Sequence, residues 1–204
     1  GDADVIGVID SAFTDSRSAD DSAIQVWAAL RTPDGPRFYM LDSIHGSMSF
    51  VDINDGAKVL AEKWRGRGVT IRRWLVEAGG KGNGDAIVSS MRRDGVIVRP
   101  VSYKRGSQSA AGKRNRVAAI TPVIENGSVY VPDAMLASWS RSFVAECEGF
   151  GVLRADDQVD CLTMALLYLA PRVGMDVSDM LVDIDRRRAR ARPKTGRSRG
   201  IYRS

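Results

Sequence analysis

The chain is poor in the residues that most often hold transition metals. Cys147 and Cys161 are its two cysteines and His45 its one histidine, in 204 residues. Both cysteines fall in helix-like apolar patterns, so they read as small buried hydrophobes in a reducing compartment, not as a disulfide or a metal site. His45 reads as a loop or strand-end residue. No apolar run reaches the length of a membrane span, and no basic stretch followed by an apolar segment opens the chain, so neither an anchor nor a signal peptide is expected. No G-x-x-x-x-G-K-[ST] occurs either, which leaves no nucleotide-binding P-loop. "GGKGNGD", residues 79–85, is Gly-rich but reads as a turn between two elements. There are no internal repeats. With Gly1 where an initiator Met would stand, the sequence suggests one domain of a longer protein.

What is present divides unevenly by charge. Residues 184–204, "IDRRRARARPKTGRSRGIYRS", hold nine Lys or Arg against one Asp, a net of +8. The whole chain is +5, so residues 1–183 carry −3. A mildly acidic body of one domain is therefore expected over 1–183. A basic, flexible tail suited to a polyanion, or simply solubilising, is expected over 184–204.

The body alternates in period. "DVIGVID" (4–10) predicts a short apolar strand ending in an acid, and "DSAIQVWAAL" a second strand through Ile24, Val26 and Ala28. "TPDGP" predicts the tight turn of a hairpin into a third, "RFYMLDSIHG". Helical spacing follows at Val59, Leu60 and Trp64, with Asn54 or Asp55 as cap and Gly68 as stop. "VTIRRWLVEA" is a fourth strand, "GDAIVSSMRRDG" a short helix and "VIVRPV" a fifth strand. A helix through Val117, Ile120 and Ile124, a brief strand "GSVYVP", the helix "DAMLASWSRSFVAECEGF" and a last apolar helix complete the order. Trp27, Trp64, Trp74 and Trp139 fall at amphipathic positions and read as core. Hairpin strands followed by strand–helix alternation predict an α/β fold, a central mixed sheet of five or more strands with helices on both faces.

Against that frame the acids stand out. "RADDQVDCLTMALLYLA" (154–170) puts Asp156, Asp157 and Asp160 at the mouth of a buried helix. Capping explains one or two of them. Asp10 ends the first strand and Glu77 the fourth, where open α/β sheets place sites. Each acid alone reads as a turn former, a solvated end or a cap. Together, Asp10, Glu77, Asp157 and Asp160 read as a set of hard oxygen ligands suited to Mg²⁺ or Mn²⁺. Two such ions about 4 Å apart would activate a water and stabilise the leaving oxygen of a phosphodiester. Cations must then offset the acids for a phosphate group to approach. Lys81, Lys104, Arg105, Lys113, Arg114 and Arg116 flank the acids and a Gly/Ser/Gln loop, and are the expected phosphate contacts; each alone reads equally well as part of a solvated basic face.

Four segments carry a family resemblance: "VIGVIDSAFTDSRSADDSAIQVWA", "WLVEAGGKGNGDAIV", "GKRNRVAAITPVIENGSVYVP" and "DDQVDCLTMALLYL", which together span most of residues 4–170. They resemble the ribonuclease H-like superfamily, and in detail the nuclease domain of the tailed-bacteriophage terminase large subunit. The resemblance implies that Asp10 and Glu77 are the first two metal ligands. It puts Asp157 ahead of Asp160 as the third and makes Asp21 an auxiliary acid. Ala155 stands where many relatives carry a His. It also implies an endonuclease that cuts concatemeric viral DNA during packaging, leaving a 3′-hydroxyl and a 5′-phosphate. The partners it implies are double-stranded DNA, an N-terminal packaging ATPase domain, the portal and the small terminase subunit, in the host cytoplasm. Other readings of the same residues are a Holliday-junction resolvase, an RNA–DNA hybrid cutter, or a non-catalytic DNA-binding or assembly module.

Overall fold

The computed structural model describes residues 3–11, 21–78, 84–103, 109–152 and 156–175. The expected boundary at 183/184, the basic tail, Lys81, Lys104, Arg105 and Ala155 lie outside the described residues. The elements are β1 (Asp4–Ser11), β2 (Ser22–Thr32), β3 (Gly35–Gly46), α1 (Phe50–Arg65), β4 (Arg73–Glu77), α2 (Gly84–Arg93) and β5 (Val98–Val101). Then come α3 (Ala110–Glu125), β6 (Val129–Tyr130), α4 (Trp139–Glu148) and α5 (Asp157–Leu169), closed by a 3₁₀ turn at Ala170–Val173. The order matches the periodicity of the sequence.

The strands form one mixed six-stranded sheet in the order β5-β4-β1-β2-β3-β6. β1, β2 and β3 pair antiparallel, while β4 joins β1, β5 joins β4 and β6 joins β3 in parallel. Side chains alternate across a strand, so each strand feeds two cores. Ile6 and Val8 of β1 face a layer with Ile120 of α3, Phe143 of α4 and Leu162, Ala165 and Leu166 of α5. Val5 and Ile9 face the other layer, with Ile53, Ala57 and Leu60 of α1 and Ile87, Val88 and Met91 of α2. Burial on both faces is why β2 is covered from Ser22 to Ala29 even though its sequence alternates. Pro100 has no N–H for a ladder and sits in β5, an edge strand.

Two helix starts differ from the sequence reading. α1 begins four residues before Asn54, because Ser49 and Asp52 cap each other's backbone N–H groups in a reciprocal box. It stops at Arg65, and Gly68 carries the positive φ of 78° that turns the chain away. α4 begins at Trp139 and not at Asp133. The Asp133 carboxylate accepts the Met135 N–H, and its carbonyl accepts those of Leu136 and Ala137, closing a turn that leaves Met135 and Leu136 96% and 85% exposed.

Gly84 opens α2 against the end of β4. A Cβ there would lie 1.9 Å from the Glu77 carbonyl oxygen, which is backbone and cannot swing aside. The last glycine of "GGKGNGD" is thus required by close approach. Gly84→Ala is expected to destabilise the fold by about 1–3 kcal/mol, as overpacking does, read as a lower denaturant midpoint with unchanged slope.

Candidate metal centre

β1 and β4 run parallel as neighbours, with Ile9 opposite Val76, so the next residues, Asp10 and Glu77, emerge side by side at the carboxyl end of the sheet. α5 packs across β1 and β2, its Cys161 Sγ within 4.0 Å of the Val8 carbonyl and 3.5 Å of that of Ala23. This docking lowers Asp160, in the helix's first turn, onto the same end. One carboxylate oxygen from each of Asp10, Glu77 and Asp160 lies within 4.8 Å of the others. Asp10 is 9% exposed and Asp160 2%. Burial first, then the charges of Glu77, Asp160 and Asp157, pushes the Asp10 carboxyl well above the usual carboxylate range.

The acids at the start of α5 are not used as caps. Asp156 is the N-cap residue, yet its side chain makes no capping bond. The free N–H groups of Gln158 and Val159 are taken instead by Glu146 of α4, at 2.7 and 3.3 Å. The second Glu146 oxygen accepts the Gln158 side-chain amide at 2.7 Å. A buried relay continues from there: Gln25 of β2 donates to the Gln158 carbonyl and accepts from the Trp27 indole. A carboxylate from another helix therefore does the capping, and Asp156, Asp157 and Asp160 are released for other contacts.

Two cations of α3 meet those acids. Lys113 Nζ lies 2.7 Å from Asp156 Oδ1 and 2.5 Å from Asp160 Oδ2. Arg116 lies 2.8 Å from Asp160 Oδ1 and stacks on the Tyr103 ring, its Cζ 4.0 Å from the centroid. Arg116 is 5% exposed. Expected to bind phosphate, it is instead enclosed with Asp160, because a buried carboxylate in this crowd requires a charged donor. Arg114, on the outward side of α3, is exposed.

Asp157 is not part of the close trio. It sits in the first turn among Asp156 and Glu146, and burial followed by those charges raises its carboxyl to about 7. Asp21 is placed elsewhere too, 3.7 Å from His45 Nε2, which also lies 3.8 Å from Glu146. Neither Glu146 nor Gln25 was singled out by the sequence reading. Glu146 occupies an ordinary solvent-type position in an amphipathic pattern, and only the three-dimensional placement of α4 against α5 gives it a role.

Three carboxylates converging at the carboxyl end of parallel strands, beneath a helix start, define a ribonuclease H-like α/β domain with a centre suited to a hard cation. The family of the terminase RNaseH-like domain matches residues 7–169. The chain belongs to that family. Among solved structures it is similar to the nuclease domain of the P22 large terminase, with a TM-score of 0.56 and 15% identity over 87% of this chain and 86% of that one. No curated protein sequence matches it. No described helix is long and apolar enough to cross a membrane.

Two outcomes are expected. Glu146→Ala strands the N–H groups of α5 and costs about 1–3 kcal/mol, measurable by chemical denaturation. The Asp157 carboxyl, raised in the fold, contributes stability below its unfolded value of 3.8 and loses it as pH rises through about 7. In chelator, the melting temperature therefore falls over that interval, and Asp157→Asn flattens the slope.

Proposed function

We propose that this domain is a divalent-metal-dependent endodeoxyribonuclease that cuts concatemeric viral DNA during genome packaging. The observation that carries the reading is the convergence of Asp10, Glu77 and Asp160, whose oxygens lie within 4.8 Å of one another. The donor set fits the cation. All three are carboxylate oxygens, the ligand type preferred by Mg²⁺ and Mn²⁺. Burial, and then the repulsion of the neighbouring acids, raises the Asp10 carboxyl, and both are relieved by positive charge. When bound, a divalent cation supplies Lewis-acid polarisation of a phosphodiester and a more acidic water.

The residues of the chain do the rest. β1 and β4 hold Asp10 and Glu77 at fixed strand ends, so their spacing is set by a parallel ladder and not by a loop. Gly84 keeps the Glu77 backbone uncrowded. Arg116 and Lys113 keep Asp160 oriented and partly neutralised. Exposed Arg114, together with Lys81, Lys104 and Arg105, is assigned to the phosphate backbone, which makes binding indifferent to sequence and sensitive to salt. Asp21 is assigned an auxiliary part through His45, and Asp157 a supporting part beside the trio. The expected products are a 3′-hydroxyl and a 5′-phosphate. Within the packaging machine, an ATPase domain, the portal and the small subunit are the assigned partners, in the host cytoplasm.

Plasmid incubated with Mn²⁺ or Mg²⁺ should be nicked and linearised, and chelator should abolish cutting. Asp10→Asn, Glu77→Gln and Asp160→Asn should each lower the rate by at least about 100-fold, roughly 2.7 kcal/mol of lost transition-state stabilisation. Full activity in all three variants would refute the reading.

A further inference from the structure

Tyr168, near the end of α5, is surrounded by arginines. Arg172 stacks on its ring with Cζ 3.4 Å from the centroid, and Arg99 and Arg73 approach the same ring at 5.6 and 5.9 Å. The sheet places two of them. Arg73, Leu75 and Glu77 alternate along β4 on the face that α5 covers, and Arg99 pairs with Leu75 in the parallel ladder. Arg172, in the 3₁₀ turn, is held by its bond to the Tyr168 carbonyl, and Arg31 donates to the Arg172 carbonyl at 3.4 Å.

Three guanidiniums around one ring repel one another. Among the described residues, Asp4 supplies the one ion pair of the three, 4.0 Å from Arg172 Nε. Packing accounts for the stacking but not for two donors. Tyr168 is 8% exposed, and its hydroxyl, like Arg73 Nε, is buried with no hydrogen-bond partner among the described residues. Buried polar atoms are nearly always bonded. A guanidinium offers donors only, in a fork that matches the oxygens of a phosphate. Arg99 and Arg172 are exposed, so the cluster has an open rim with covered donors behind it.

Its position bears on what it takes. Tyr168 lies about 12 Å beyond Asp160 along α5, and Arg73 lies about 13 Å before Glu77 along β4. A duplex with one phosphate at the acids presents further phosphates every ~3.4 Å of axis on each strand, so one molecule reaches both places.

Resting on the reading of this domain as a DNA-cutting enzyme and deepening it, we propose that Arg73, Arg99, Arg172 and the Tyr168 hydroxyl form a phosphate-binding site that holds a backbone phosphate of the duplex away from the metal centre. Arg99 and Arg172 attract the phosphate, and Arg73 Nε and Tyr168 Oη donate to its oxygens. The site anchors a strand and takes no part in the cleavage step.

Duplex binding by the full chain in chelator, followed by fluorescence anisotropy across a salt series, tests this without cleavage. Arg99→Gln and Tyr168→Phe should each weaken binding about 3- to 10-fold, and the Arg73→Gln, Arg99→Gln double variant should lower the slope of log K against log salt by about 1. Tyr168→Phe should keep or raise the melting temperature of the free protein, because it removes an unpaired hydroxyl. Arg67→Gln, which removes an exposed guanidinium stacked on Trp64 in the other layer, should leave the slope unchanged. Inorganic phosphate should raise the melting temperature of the wild type and not of the double variant. An equal loss in Arg67→Gln, or wild-type binding in folded Arg99→Gln and Tyr168→Phe, overturns the inference. Variants that lose the phosphate shift yet bind duplex normally mark a site for the free anion, and a polyglutamate peptide that stabilises the wild type where phosphate does not marks a protein contact; either result overturns it too. The nuclease reading fails separately, if plasmid stays intact with Mn²⁺ while duplex is still bound in chelator.

Discussion

Repulsion between buried carboxylates is the constraint around which this domain is arranged. Burial of Asp10 and Asp160 disfavours their charge, and the half-buried Glu77 carboxylate beside them adds to the strain. Nothing in the stability of the sheet asks for that. The two cores on its faces are complete without it, filled by aliphatic and aromatic side chains. The surrounding structure instead manages the charge. α3 delivers two cations to Asp160 and Asp156, and the Tyr103 ring covers one of them. A domain that retains such a demand after these contacts is one whose resting state anticipates a positively charged guest.

The capping of α5 by Glu146 is the complement of this arrangement. A helix start carrying three aspartates would ordinarily spend one on its own N–H groups. Here an acid from α4 performs that task, and Gln25 with Trp27 anchors the same turn from inside the sheet. The first turn of α5 is therefore fixed by Glu146 and Gln25, while Asp156 and Asp160 meet Lys113. Rigid support of this kind is what a coordination site needs, since ligands free to drift lose geometry before they lose affinity.

Much of this was legible from residues alone. The alternation of "DVIGVID" and "WLVEA" and the helical spacing after them were enough to order the elements, because both periods follow directly from backbone geometry. Asp10 and Glu77 were legible for the same reason: each closes an apolar strand, and strand ends are readable. Three features were not. Arg116 looks like a surface cation in a basic stretch, and only the packing of α3 on α5 shows that it is enclosed with Asp160. The Ser49–Asp52 box was written in the sequence but outweighed by the polar pair Asn54–Asp55, of which Asn54 is buried and donates to the Phe50 carbonyl inside the helix. Between Asp157 and Asp160 the choice depends on how far α5 slides along β1, a quantity that no local pattern encodes.

The trio is drawn from the first strand, the fourth strand and the last long helix among the described residues. Chains emerge from the ribosome with the N-terminal part first, so Asp10 and Glu77 are synthesised before Asp160. An unfinished or partly folded polypeptide carries two of the acids and lacks the third. The full carboxylate trio thus assembles only when the last long helix has docked on the sheet, so the acidic centre and the completed fold arrive together.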